Sequence, residues 1–394
     1  MKVNTDFIPF ARPELGREEE EAVLRVLRSG WITTASEAKA FEEEFARYVG
    51  APYALAVNSA TAGLHLGLEA LGVGPGDRVI TTPYTFAATA EVIRYLGADP
   101  LFVDIEPGGF HIDPGGIEKA LEQARAEKTK IKAILPVHIG GEARGMDKII
   151  ALARGFGVSV VEDAAHAFPS LTREGYAGTL GDIGVYSFYA TKTITTGEGG
   201  MVVTSSAETA KRVSIMRLHG IDREVWNRYT AKDASWRYAV VEAGFKYNMP
   251  DLAAAIGRVQ LGRAREFLDR RKAIARRYLA AFADRDYLSL PEDSEGHAWH
   301  LFLLRVNEEK LRITRDEFID RLREKGIGTS VHFIPLHIHP YYEKRYGFKP
   351  MDFPAAFRTY RRVISLPVYS AMSAGDIGRV IDAVISLGDS GRRT

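Results

Sequence analysis

The chain has 394 residues, 46% of them hydrophobic, enough for one large and one smaller globular domain around a sizeable core. Its formal net charge of +1 provides no field to draw nucleic acid or an anionic membrane, so any phosphate must be held by local groups. It has no cysteine, which excludes disulfides, thiolate metal sites and a cysteine nucleophile.

Residues 18–27 are predicted as an amphipathic helix stopped at Ser29-Gly30, and residues 41–48 as a second helix. Strands then alternate with helices. Strands are predicted at Tyr53–Val57, Arg78–Thr81, 101–104, 131–137, 158–161 and 185–188, with helices at 62–71, 87–96, 117–126 and 146–154. Apolar strands without alternation, joined by helices, imply a mainly parallel sheet covered on both faces, an α/β fold. Residues 202–204 are expected to close that sheet at one edge.

The pattern changes near Pro250, which divides the chain into a large domain, 1–250, and a smaller α+β domain, 251–394. A long helix over 252–283 is expected to link them, with Asp251 as its cap. Strands at 299–306 and 328–333, a helix at 315–325 and a last helix from Ser373 complete the smaller domain. No apolar run approaches the ~20 residues that cross a bilayer. The start, Met1-Lys2-Val3-Asn4-Thr5-Asp6, has no signal-peptide pattern, so the expected location is the cytoplasm.

Ligands of open α/β sheets bind at the carboxyl ends of strands, so the residues following each strand carry the chemistry. After the first strand, Asn58-Ser59-Ala60-Thr61 opens a helix, where hydroxyls and free amides make an anion site. Ser and Thr are equally ordinary helix caps. After the second, Phe86 is either core or a stacking surface for a planar cofactor. Glu162-Asp163-Ala164-Ala165-His166 follows a buried strand, and His166 is close enough in sequence to touch the same ligand as Asp163. Lys192 lies in an apolar, Thr- and Gly-rich stretch just past the strand that carries Ser187. A desolvated lysine becomes nucleophilic toward aldehydes. A lysine and an aspartate at the exits of two core strands are the pair that pyridoxal 5'-phosphate (PLP) requires: one for the Schiff base, the other for the pyridinium nitrogen. No Walker loop, H-E-x-x-H or G-x-S-x-G is present. His337-Ile338-His339 reads as a loop, and no metal is expected.

The ordered set Asn58-Ser59-Ala60-Thr61, Glu162-Asp163-Ala164-Ala165-His166, Ser187-Phe188 and Lys192 before Gly197-Glu198-Gly199-Gly200 resembles the nucleotide-sugar aminotransferases of the DegT/DnrJ/EryC1/StrS family, fold type I PLP enzymes. Ser29-Gly30-Trp31-Ile32-Thr33-Thr34, Phe245-Lys246-Tyr247-Asn248 and His297-Ala298-Trp299-His300 also resemble it. Within the family, the chain is most similar to the UDP-4-amino-4-deoxy-L-arabinose aminotransferases and related enzymes that aminate C4 of a UDP-4-keto sugar. The pseudaminic acid enzymes among them share a stretch like Val331-His332-Phe333-Ile334-Pro335-Leu336-His337.

The resemblance implies Lys192, Asp163 and His166 as catalytic residues, with Lys192 as Schiff-base lysine and proton shuttle. It implies Ser59, Ala60, Thr61 and Ser187 at the cofactor phosphate and Phe86 on its ring. Asn248 is expected to reach the phosphate of a neighbouring subunit's cofactor, hence a homodimer with shared sites. Trp31 and Thr33 are implied near the substrate, and Arg217, Lys246 and His332 are candidates for the uridine and diphosphate. Glutamate is the implied donor. The chain departs from the family at Thr193, at Phe168-Pro169-Ser170, and in the region 222–240 with Trp226, Tyr229 and Trp236. A C3-directed aminotransferase and a non-catalytic PLP-binding regulator are the alternatives. A dehydratase of this fold would carry histidine in place of Lys192.

Overall fold

Seven strands make the central sheet of the computed structural model, which describes residues 7–222 and 238–393. Their spatial order is β1 (Tyr53–Val57), β7 (Gly200–Thr204), β6 (Ile183–Ser187), β5 (Ser159–Asp163), β4 (Ile131–Ile134), β2 (Arg78–Thr81) and β3 (Asp99–Phe102). From β6 to β3 every pairing is parallel, while β7 runs antiparallel to both its neighbours. β1 therefore points the same way as β5 and β6, and the carboxyl ends of all three share one edge.

The expected edge position of 202–204 is corrected. β7 is inside the sheet and β1 forms the edge. All five β7 residues are buried and its backbone is paired on both sides, whereas Tyr53 at the start of β1 is exposed. Gly200 makes this possible: a Cβ there would lie 2.7 Å from the Ala60 amide nitrogen, so only glycine lets β7 run this close to the next helix.

Both faces are covered, which is why the strands lack period-two polarity. Val161, Val185 and Val202 face helices α3 (Ala60–Ala70), α4 (Ala87–Tyr95) and α7 (Ala207–Met216). Met201 and Val203 face α2 (Ser36–Val49), while Ile80, Ile134 and Val160 face α5 (Pro114–Ala126) and α6 (Met146–Phe156). α1 (Arg17–Ser29) ends at Gly30, at φ 74°.

The expected helix over 252–283 is two helices, α8 (Asp251–Gly262) and α9 (Ala264–Phe282). The break falls at Arg263 (φ −98°, ψ 0°), just after the weak helix former Gly262. The Arg263 guanidinium is drawn to Glu14 at 2.7 Å and Glu19 at 3.2 Å. Asp251 caps a different helix from the one expected: its carboxylate accepts the Ala35, Glu37 and Ala38 amides at the start of α2.

The smaller unit packs α9, α10 (Arg315–Glu324) and α13 (Ala374–Gly391) on a three-stranded antiparallel sheet, β10 (Val363–Leu366), β9 (Phe302–Val306) and β8 (Leu288–Ser289). Ile8 packs into this core and bridges to Ile327. Ser373 caps α13 through a capping box with Asp376. Residues 328–333 are not a strand; only Ser330 pairs, with Ser365, before the chain turns His332 and Phe333 toward the large domain. Short helices α11 (Pro340–Tyr346) and α12 (Pro354–Arg362) follow, and these, with α7, β8 and β10, were not anticipated. Among the described residues no helix is long and apolar enough to cross a membrane.

Candidate active site

Lys192, Asp163, Ser59, Ala60, Thr61, Phe86, His166, Ser187 and His332 all line one cavity of about 460 Å³ at the carboxyl edge of β1, β5 and β6. Asp163 is the last residue of β5 and Ser187 the last of β6, so the sheet itself aims both. Lys192 sits in the hairpin between β6 and β7. Threonines hold that loop: the Thr195 hydroxyl donates to the Phe188 carbonyl at 3.0 Å, and the Gly197 amide to Thr195 Oγ1 at 2.9 Å. Gly197, at φ +80°, completes the turn.

Lys192 keeps part of its surface open to the cavity, but burial lowers its pKa from 10.5 to about 8. The neighbouring Asp163 carboxylate opposes this, and the Arg271 guanidinium adds to it. At pH 7 roughly 10% of such an amine is neutral, some two orders of magnitude more than for an ordinary lysine. The neutral form is the nucleophile. The rate at which the apo-protein captures an aldehyde is therefore expected to climb about tenfold per pH unit up to pH ~8 and then level off. Stopped-flow mixing with PLP between pH 6 and 9.5 measures this, and a rate still rising tenfold per unit above pH 9 would refute the lowered pKa.

Asp163 is buried, and burial raises its carboxyl above the ordinary range. The Thr89 hydroxyl at 2.7 Å and the Ala165 amide at 3.2 Å oppose that shift, as does the charge of Lys192. At the other end, Ser59 caps α3 by accepting the Ala62 amide at 3.1 Å. The Ala60 and Thr61 amides, the first two of α3, take no acceptor among the described residues. Phe86 is 62% exposed, an aromatic face open to a planar ligand.

Three imidazoles line the side toward the smaller unit. His166 Nδ1 accepts the Gly140 amide at 3.4 Å, which leaves its proton on Nε2. Burial first, then Lys192 and His332, hold His166 neutral well below its usual range. Its ring lies 4.4 Å from that of His300, and stacks on Phe333 at 5.7 Å. His332 Nδ1 pairs with Ser365 Oγ at 2.8 Å. The Ala298 amide donates to Gly141 and the Leu301 amide to Gly140, which brings His300 beside His166. Arg271, buried with no carboxylate partner among the described residues, donates to the Val368 carbonyl at 2.7 Å and to the Trp299 and His300 carbonyls at 3.4 Å.

The remaining expected residues lie elsewhere in this chain. Arg217 is not a free cation: it pairs with Glu42 and donates to the Ala56 carbonyl at 2.8 Å. It lines a second cavity of about 530 Å³ with Asn248, Lys39 and Lys211. Asn248 Nδ2 donates to Thr34 Oγ1, and Lys246 Nζ to Asn248 Oδ1, both at 2.5 Å. Trp31 is exposed and the Thr33 carbonyl accepts the Asp251 amide. Thr193 Oγ1 is buried with no partner among the described residues, and Phe168 packs on Phe45 at 5.1 Å. Trp226, Tyr229 and Trp236 lie outside the described residues. Thr85 and Thr89 also line the Lys192 cavity, as does His300, which the sequence offered only as part of a family-like stretch without a site role. Thr85 precedes α4 and Thr89 lies in its first turn, so their pairing has no helical period that could be read from the sequence.

This set fits PLP. An anion is met by the Ala60 and Thr61 amides and by Ser59 and Ser187, a ring nitrogen by Asp163, an aldehyde by Lys192. A protonated ring nitrogen would also relieve the raised pKa of Asp163.

The sequence matches the DegT/DnrJ/EryC1/StrS aminotransferase family over residues 13–385. It is 46% identical over 381 residues to the spore coat polysaccharide biosynthesis protein SpsC of Bacillus subtilis (strain 168), covering 96% of each chain. The fold matches the proposed sugar aminotransferase Spr1654 of Streptococcus pneumoniae in its PLP-form, with a TM-score of 0.88 and 31% identity over 98% of this chain and 99% of that one. It also matches Helicobacter pylori PseC, an aminotransferase of pseudoaminic acid biosynthesis, with a TM-score of 0.89 and 26% identity over 98% and 100% of the two chains.

Proposed function

The chain belongs to the DegT/DnrJ/EryC1/StrS aminotransferase family and is a PLP-dependent sugar aminotransferase; from that premise we propose that it moves the amino group of L-glutamate to C4 of a UDP-linked 4-keto sugar. The observation that carries the catalytic part is the convergence of Lys192, Asp163 and the first amides of α3 on one cavity. The C4 and UDP assignment is supported by the Val331-to-His337 stretch and by the likeness to PseC.

When bound, PLP supplies a carbonyl to hold the migrating amine and a ring that accepts electrons. Lys192, as a neutral amine, takes the proton from Cα of the donor and later delivers one to C4 of the sugar. Asp163 would hold a proton, and so a positive charge, on the ring nitrogen. The start of α3 would hold the phosphate, and Phe86 would offer its exposed face to the ring. His166, His300 and His332, all neutral, present hydrogen-bonding groups without a competing charge.

We also propose that the working form is a homodimer in the cytoplasm. Asn248 and Lys246, which flank the end of β1 but do not line the cavity of their own Lys192, would serve a partner's site. Light scattering tests this, and a monomer with full activity would exclude it.

The absorbance of the PLP-loaded enzyme, recorded before and after L-glutamate, tests the first half-reaction. The visible band is expected to give way to one at shorter wavelength. A panel of 4-keto and 3-keto nucleotide sugars is then added, and only UDP-linked 4-keto members should restore the visible band. Restoration by 3-keto sugars alone would overturn the C4 assignment.

A further inference from the structure

We propose that Thr89, backed by Thr85, is a positioning residue that fixes the orientation and charge of Asp163. This rests on the reading that Asp163 pairs with the ring nitrogen of the cofactor. Thr89 Oγ1 donates to Asp163 Oδ2 at 2.7 Å, and the Thr85 and Thr89 hydroxyls lie 2.7 Å apart. All three residues are buried: Thr85 is 1% exposed, Thr89 is fully enclosed and Asp163 is 5% exposed.

A threonine in a helix commonly turns its hydroxyl back to the carbonyl four residues earlier. Thr89, in the first turn of α4, instead reaches across to the end of β5. An ionised carboxylate only accepts, so Thr89 must donate to it, and the Thr89 oxygen is left to accept from Thr85. Both protons then point toward the carboxylate, and each bond polarises the next. The Ala165 amide holds the other oxygen, Oδ1, at 3.2 Å. Asp163 is thereby fixed at both oxygens, in the charge state that a cationic ring nitrogen requires.

The test uses the full chain with Thr89→Val, which keeps the shape and removes the donor, and Thr89→Ser, which restores it. PLP affinity and the pH midpoint of the visible absorbance of the loaded enzyme are measured, both independent of turnover. In Thr89→Val the dissociation constant of PLP is expected to rise roughly tenfold, as for loss of a hydrogen bond to a charged group. The absorbance midpoint should move up, because a weaker carboxylate holds less positive charge on the ring and repels the proton on the Lys192 nitrogen less. Thr89→Ser should stay within roughly threefold of the parent. Thr85→Val should shift both readouts in the same direction by less, and it carries the test if Thr89→Val fails to fold. Unchanged affinity and midpoint in the valine variants, while Asp163→Asn alters both, would overturn the role of Thr89 alone. If Asp163→Asn also leaves both unchanged, the pairing of Asp163 with the ring is what fails.

Discussion

Lys192→Ala loses turnover by roughly 10²–10⁴-fold from the missing proton transfer alone, and by more once the lost covalent anchor of the cofactor is added. Among the amine and imidazole bases of the described residues lining the cavity, Lys192 is the one whose pKa lies near working pH: burial brings it to about 8, while His332 is pushed down to about 4. Neither His166 nor His300 can take its place, since burial holds both far below the range where an imidazole is a useful base. The variant should still bind PLP, because Ser59, Ser187, the α3 amides and Asp163 are untouched, but without the visible band of the parent. Steady-state kinetics and absorbance on the same preparation measure both effects. Repeated turnover by Lys192→Ala without an added amine would remove Lys192 from the mechanism.

Glu162→Ala is expected to cost about 3–5 kcal/mol of stability, the penalty for breaking a buried charged network on one side. Glu162 is fully buried. One carboxylate oxygen accepts the Leu180 amide at 2.7 Å and the Gly181 amide at 2.6 Å. The other accepts the Gly178 amide at 2.8 Å and pairs with His138 Nε2 at 2.7 Å. Alanine leaves the buried Gly178 amide, the half-buried Leu180 and Gly181 amides and the His138 imidazole without their acceptor. Those amides belong to the loop that enters β6, the strand that delivers Ser187 and the Lys192 hairpin. The urea midpoint of the apo-protein should fall, with the slope unchanged. A loss under about 1 kcal/mol would mean that water replaces the carboxylate and that the loop does not depend on it.

The two neighbours Glu162 and Asp163 show how far the sequence reaches. Their position at the end of an apolar run placed both on a strand exit, and chain order pointed to Asp163 as the functional acid. That Glu162 ties down a loop was invisible, because its partners in that loop are backbone amides 16 to 19 residues later. Strands Tyr53–Val57 and Arg78–Thr81 were legible to the residue, since their bounds are set by local apolar runs and turns. The interior place of β7 was not, because strand order depends on pairing between distant segments, and a three-residue apolar match carries no information about its neighbours.

The site divides in the same way. Asp163 ends a strand, and Ser59, Thr61, Phe86 and Lys192 come within five residues after one; a sheet whose strands run mostly parallel sends what lies at its carboxyl edge to one place. The sequence by itself therefore determined the fold class and the cofactor, and it named an acid and a lysine that the structure brings to one cavity. Only the tertiary structure decided that Arg217 is committed to Glu42, that Asp251 caps α2, that His300 faces His166 and that Thr89 holds Asp163. These are contacts between elements far apart in the chain, set by packing and hydrogen-bond closure, which have no local period to read.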